Sequence, residues 1–244
     1  MIDGSDEPSS IGDWLEEKLL ARGCDEGLGD LAAAATEGRR FASWLRALAR
    51  DKGSRDAIAA RSYTHDNGFD RISLCIGGRI AYELRLHIWR GGQSDTRERL
   101  HSHPWNFGST VLAGTLHVEQ YEENHTGDRH NIFLYPRPVD GQDYRLVAAG
   151  EAHLSPLLRM QLPTGAIYTA RNTMIHRAWG DPQSTTVTLM LRGPGNAYPS
   201  RVFDTRSTEV VSSLLHKIPR FQPAVVAEKL LEVADIVSSP ESGE

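Results

Sequence analysis

The chain has 244 residues, 39% hydrophobic and 24% charged, an ordinary balance for a globular protein and unlike a disordered, fibrous or disulfide-stapled one. Its formal net charge of −5 gives no basic footprint and so disfavours a nucleic-acid partner, and no apolar run approaches the ~20 residues that span a bilayer. Arginine carries nearly all the positive charge, the only lysines being Lys18, Lys52, Lys217 and Lys229, and a guanidinium suits bidentate capture of carboxylates. Two isolated cysteines, Cys24 and Cys75, form no disulfide framework and no zinc ribbon. Together with an acidic start, MIDGSDEPSS, unlike a secretory signal, they predict a cytoplasmic location.

Residues 1–10 and the closing SSPESGE read as disordered ends. From Ile11 to Arg22 the apolar positions Ile11, Trp14, Leu15 and Leu19 fall on one helical stripe closed by Gly23. Phe41, Trp44, Leu45, Leu48 and Ala49 repeat that stripe. A helical segment over 1–60 is expected, packed on the outside of a sheet. From Arg61 the chain changes to short strands punctuated by Gly, Pro, Asn and Asp, as in a β-sandwich or barrel over 61–200. Candidate strands are 70–76, 79–89, 98–103, 107–113, 115–122, 130–135, 143–148, 157–162, 165–170, 174–179 and 184–192. GPGNAYPS breaks the sheet after Arg192. Pro223 then opens a last helix with Val226, Leu230, Val233 and Val237 on one side, within a C-terminal helical segment and tail over 201–244.

The stretch Tyr82–Tyr121 carries the chemistry. His101 and His103 are one residue apart, and in an extended strand side chains at i and i+2 leave the same face. His176 follows a second Gly-led strand pattern, GAIYTARNTMIH. Three imidazoles meeting inside a barrel suit a divalent transition metal rather than Mg or Ca. An HxH pair alone is weak evidence, since paired strand histidines also occur on surfaces and in cores. On the strand before it, Arg85, His87 and Trp89 share one face and Leu84, Leu86 and Ile88 the other. With the leucine face on the flanking helices, Arg85 or His87 comes within reach of a substrate carboxylate or a metal ligand. With the faces reversed, they are solvated surface. Trp105 and Phe107 continue the histidine face unless Pro104 breaks the alternation, and Tyr168 offers a hydroxyl near the site. His117, His125, His130 and His153 lie in polar surroundings and read as exposed, His65 is ambiguous, and His216 reads as structural or solvated. No phosphate-binding Gly loop and no Gly-x-Ser-x-Gly elbow is present, which disfavours kinase, Rossmann and hydrolase functions.

Residues 101–114 resemble the first motif of the cupin superfamily: HxH, a short spacer and Gly114. Residues 165–176 resemble the second, with Arg171 and Thr173 where the turn usually has Pro and Gly. The acidic ligand common in that superfamily is missing, Phe107 or Gly108 standing in its place. The remaining three-histidine form is similar to the thiol dioxygenases, the cysteine dioxygenase family. LRLHIW resembles the strand before that family's metal motif, Trp89 matching its Trp, and the segment ending in TVTLMLRGPG at Gly195 resembles its late strand. There Thr188 keeps a hydroxyl, while Met190 and Arg192 replace an imidazole and a phenol. Tyr63–Asp66 resembles a Tyr-x-Arg that binds the substrate carboxylate, with His65 for Arg, and no Cys at 108 permits the Cys–Tyr cross-link of some members.

The resemblance, over about 61–195, implies a cupin-type barrel (jelly roll), mainly β, and a non-haem dioxygenase. The metal sits on His101, His103 and His176; Fe(II) comes first, with Ni, Mn or Zn as alternatives. A small thiol- or amino-carboxylate such as cysteine is the implied substrate, with O2 as co-substrate. Arg85, His87, Arg192 and Tyr168 are the substrate-binding candidates, and Trp89, Trp105, Phe107, Thr188 and Met190 the pocket. A homodimer is expected by analogy, with neither nucleic acid nor membrane as partner. The rival readings are a cupin-type metal-dependent sugar isomerase or epimerase and a non-catalytic cupin that binds a small ligand.

Overall fold

The computed structural model describes residues 10–23, 25–92, 99–135 and 143–239. The expectations placed on residues 1–9, Cys24, residue 98 and residues 240–244 lie outside these. Eleven strands are described: β1 Tyr63–His65, β2 Phe69–Ile76, β3 Glu83–Trp89, β4 Leu100–His101, β5 Trp105–Ala113, β6 Thr115–Leu134, β7 Val147–Pro163, β8 Ile167–Ala170, β9 Ile175–Gly180, β10 Thr186–Gly195 and β11 Arg201–Asp204. They form two antiparallel sheets, ordered β1-β2-β3-β10-β5-β8 and β11-β4-β9-β6-β7.

Within these sheets the pairs β6–β7, β5–β8, β4–β9 and β3–β10 are all antiparallel. They nest like the rungs of one long hairpin. Its rungs fall alternately in the two sheets, so the hairpin is rolled into a barrel. That is the cupin-type jelly roll, and the protein is mainly β as the sequence predicts. The turn from β5 to β6 is a single residue, Gly114, whose φ of 72° is open to glycine at little cost.

The helices are α1 Ser10–Arg22, α2 Leu28–Ala34, α3 Arg40–Arg50, α4 Lys52–Ala59, α5 Thr208–Ser213 and α6 Pro223–Ile236. Ile11, Leu15 and Leu19 of α1, the Phe41–Leu48 stripe of α3 and Val226, Leu230 and Val233 of α6 are all buried. They join one core with Leu84, Leu86 and Ile88 of β3 and Val187, Leu189 and Leu191 of β10. Each such side chain stabilises the fold by about 1.5–3 kcal/mol on burial. The period of two then turns the alternate residues of the same strands inward. α2 lies so close to β5 that a Cβ on Gly108 would stand 2.0 Å from Gly29 N. No helix among the described residues is long and apolar enough to cross a membrane.

Several strands depart from the sequence reading. The expected 115–122 and 130–135 are one strand, and 157–162 belongs to the seventeen-residue β7 that pairs along it. The expected 143–148 is strand only at its end, and β1 and β11 were given no strand by the sequence. Long strands carrying Asn, Asp and Gly persist here because β6 and β7 pair along most of their length, residues 124–127 excepted, which overrides weak propensity.

Candidate metal centre and its cavity

His101 ends β4, a strand of two residues, and His176 on β9 lies directly opposite it in the ladder. His103 is not on the same strand, as the HxH spacing predicts, but in the link to β5. Pro104 follows it and has no N–H to extend a ladder. The three rings still converge. Their centroids are 4.6 Å (His101–His103), 4.6 Å (His101–His176) and 5.1 Å (His103–His176) apart, and one nitrogen from each lies within 4.8 Å of the others.

Backbone carbonyls set the tautomers. His101 Nδ1 is 2.9 Å from Arg99 O and His176 Nδ1 is 3.3 Å from Met174 O. A carbonyl only accepts, so both Nδ1 atoms carry the proton and both Nε2 atoms present lone pairs, the form a metal requires. His101 Nε2 and His103 Nε2 are 3.1 Å apart. Two nitrogens each about 2.1 Å from one ion, at right angles, stand about 3 Å apart, so the pair fits a shared cation. Burial lowers the pKa of all three imidazoles, that of His176 to about 3, and keeps them neutral. Three neutral nitrogen donors with no carboxylate suit a borderline transition ion.

The triad lines a cavity of about 720 Å³, in the range that houses small molecules. Arg85, His87, Trp89, Trp105, Phe107, Tyr168, Thr188, Met190 and Arg192 all line it. The register explains the grouping: on the inward face Thr188 pairs with His87, Met190 with Arg85 and Arg192 with Glu83, while Ser109 of β5 faces Tyr168 of β8. Trp105 stacks on His103, with centroids 3.9 Å apart and planes 14° from parallel. Of the two positions where the acidic ligand is missing, Phe107 is turned to the triad, its ring 5.6 Å from both His103 and His176, whereas Gly108 faces α2.

Beside the triad, three arginines surround one carboxylate that the sequence reading passed over. Glu83, 4% exposed, accepts from Arg71 Nη2, from Ser73 Oγ at 2.7 Å and from Arg192 Nε at 3.0 Å, and Arg85 Nη2 lies 3.9 Å away. Burial raises the Glu83 pKa, but Arg85, Arg71, the Ser73 hydroxyl and Arg192 outweigh it and hold the carboxyl well below the usual range. Three cations against one anion leave this wall of the cavity with a surplus of positive charge. Arg85 is 7% exposed and lies 4.8 Å from the Trp105 ring centroid, and its Nε has no partner among the described residues.

Two histidines differ from expectation. His130 is buried at 9% exposure, its Nδ1 2.9 Å from Asp128 O, because its strand continues here, paired with β7 at Ala152 and with β11 from Asn131 onward. His117, expected exposed, is half-buried on Trp179, while His125 and His153 are exposed as expected. His216 is buried against the cavity and paired with Asp66, the structural rather than the solvated of its two expected placements. His65 lines the cavity. Its Nδ1 accepts from Asn67 N at 3.2 Å, so its proton is on Nε2. Only the β3 and β10 alternation offered a sequence signal for Glu83; Tyr63, Tyr135 and Tyr144 had none beyond the Tyr63–Asp66 resemblance.

Strand order and site together define a cupin-type barrel with a three-histidine candidate metal centre. No family model and no curated protein matches the chain. Among solved structures it is similar to Drosophila melanogaster CENP-C bound to CAL1 (12% identity, 54% of this chain and 75% of that one, TM-score 0.35). It is also similar to an RmlC-like cupin from Shewanella frigidimarina (13%, 56% and 85%, 0.35). A third is hydroquinone 1,2-dioxygenase from Sphingomonas sp. with 4-hydroxybenzoate bound (14%, 52% and 66%, 0.33).

Proposed function

We propose that the protein is a non-haem iron(II) dioxygenase acting on a small thiol- or amino-carboxylate. The observation that carries this reading is the adjacency of three neutral, convergent imidazoles to a wall of arginines with surplus positive charge. His101, His103 and His176 would hold the ion, with Ni, Mn or Zn as the alternative occupants. A ferrous ion supplies there the electrons that activate dioxygen.

The protein's residues do the rest. Arg85 and Arg192 receive the substrate carboxylate, Arg85 through the Nε that has no partner among the described residues. Trp105, stacked on His103 and in contact with the Arg85 guanidinium, fixes the distance between the acid site and the triad. Phe107, Trp89 and Met190 present apolar surface that keeps water from the reacting end of the substrate. Arg99 O and Met174 O hold the protons of His101 and His176 away from the centre.

The test is elemental analysis of the purified protein, then oxygen uptake with iron across a panel of thiol and amino acids. His176→Ala is expected to lose the metal and at least 100-fold of the uptake. Uptake that persists in that variant removes His176 from its role.

A further inference from the structure

A second part of the cavity is unused by this reaction. Chain outside the eight rolled strands builds it: β1, residues 143–146 and the stretch between α5 and α6, which is tied across by the bridges Tyr144–His216 and Tyr63–Arg220. His216 Nδ1 meets the Asp66 carboxylate. A carboxylate only accepts, so Nδ1 carries a proton, and in the neutral tautomer that this fixes, Nε2 is the lone pair. Tyr144 stacks on this ring, with centroids 4.8 Å apart and planes 14° from parallel, and holds its orientation. His216 is 7% exposed, and its Nε2 has no hydrogen-bond partner among the described residues. A buried acceptor without a donor is a cost that natural proteins rarely carry unless a ligand removes it.

The surroundings narrow that ligand. Leu146 and Ile218 and the rings of Tyr63, Tyr135 and Tyr144 give apolar, flat walls. Arg71 and Arg220 lie over the Tyr63 ring, their Cζ atoms 5.3 and 5.0 Å from its centroid. Their charge disfavours an ammonium as the missing donor and leaves a neutral hydroxyl.

We infer that this part of the cavity is a subsite for a hydroxyaryl group, with His216, oriented by Asp66, accepting the hydrogen bond of its hydroxyl. The inference rests on the acid-binding reading above and narrows it. The substrate class becomes a hydroxyaryl amino- or thio-carboxylate, whose acid end lies at Arg85 and Arg192, rather than an acid as small as cysteine. A site built around a substrate hydroxyl discriminates strongly against the analogue lacking it.

L-tyrosine and L-phenylalanine differ by that one group and serve as probes. Titration into the purified protein, followed by calorimetry and by the 15N resonance of His216 Nε2, is expected to give tyrosine at least 10-fold tighter binding and to move that resonance with tyrosine alone. His216→Phe keeps the stack on Tyr144 and is expected to bring the two affinities within twofold. Equal affinities in the wild type, no binding of either probe, or a preference that survives His216→Phe each overturns the inference. Should that variant not fold, the wild-type resonance decides. Metal content is measured on the same samples. A tyrosine preference without metal sinks the oxygenase reading alone, and metal without the preference sinks the subsite alone.

Discussion

Glu83 is the residue on which the arginine wall turns. Arg71, Arg85 and Arg192 come from three neighbouring strands and have this one carboxylate in common. Removing one partner of a buried ion pair strands the others, at about 3–5 kcal/mol. Glu83→Ala is therefore expected to lower stability by that amount in urea denaturation, more than any single arginine substitution around it. Arg85→Met has the opposite profile. It is expected to fold and keep its metal, because its nearest acidic contact among the described residues is only at 3.9 Å, while raising KM for a carboxylate substrate 10-fold or more. A KM unchanged in Arg85→Met moves the acid site elsewhere along the wall.

At the scale of elements, the barrel tolerates α2 only because two glycines face each other. A Cβ on Gly108 would meet Gly29 N at 2.0 Å and Gly29 Cα at 2.3 Å, and one on Gly29 would meet Ile167 Cγ2 at 2.6 Å. Backbone cannot rotate out of the way as a side chain can. Gly108→Ala is thus expected to cost about 1–3 kcal/mol by overpacking, measured as a lowered urea midpoint. Sequence alone left Gly108 as one of two positions for a missing ligand, because helix–sheet contact leaves no trace in local pattern. The same limit recurs elsewhere. The alternation in Glu83–Trp89 and the HxH were legible, since a period of two follows from strand geometry whatever the tertiary context. Which face turned inward, and that Glu83 shares Arg71 and Arg192, depended on the register of β2, β3 and β10. Asp66 and His216 lie 150 residues apart and on no regular strand, so no spacing could join them.

At the scale of the whole molecule, burial of neutral imidazoles makes stability depend on pH. Burial above all pulls the His65 and His176 pKa values from 6.5 to about 3, and His87 and His103 move the same way. Between these values the unfolded chain binds protons that the folded chain refuses, so stability rises with pH and is lost as pH falls from about 6.5 towards 3. Each imidazole contributes up to about 1.4 kcal/mol per pH unit in that window. The urea midpoint of chelator-treated protein is expected to drop steeply from pH 7 to pH 5 and to stay nearly level from pH 7 to pH 8. A midpoint that does not move between pH 7 and pH 5 contradicts the neutral, buried placement of these rings.

The nesting of β4 against β9 has a kinetic corollary. These strands are separated by the whole inner hairpin, and no segment translated or collapsed on its own brings His176 to His101. Ion capture must wait for the third of the four rungs, β4–β9, to zip over the two inside it, and such distant pairings form slowly. In a stopped-flow refolding experiment with cobalt present, the visible absorption of the bound ion should emerge late, with a rate constant insensitive to cobalt concentration. Colour that develops in the mixing dead time would mean that the centre can assemble on an open chain.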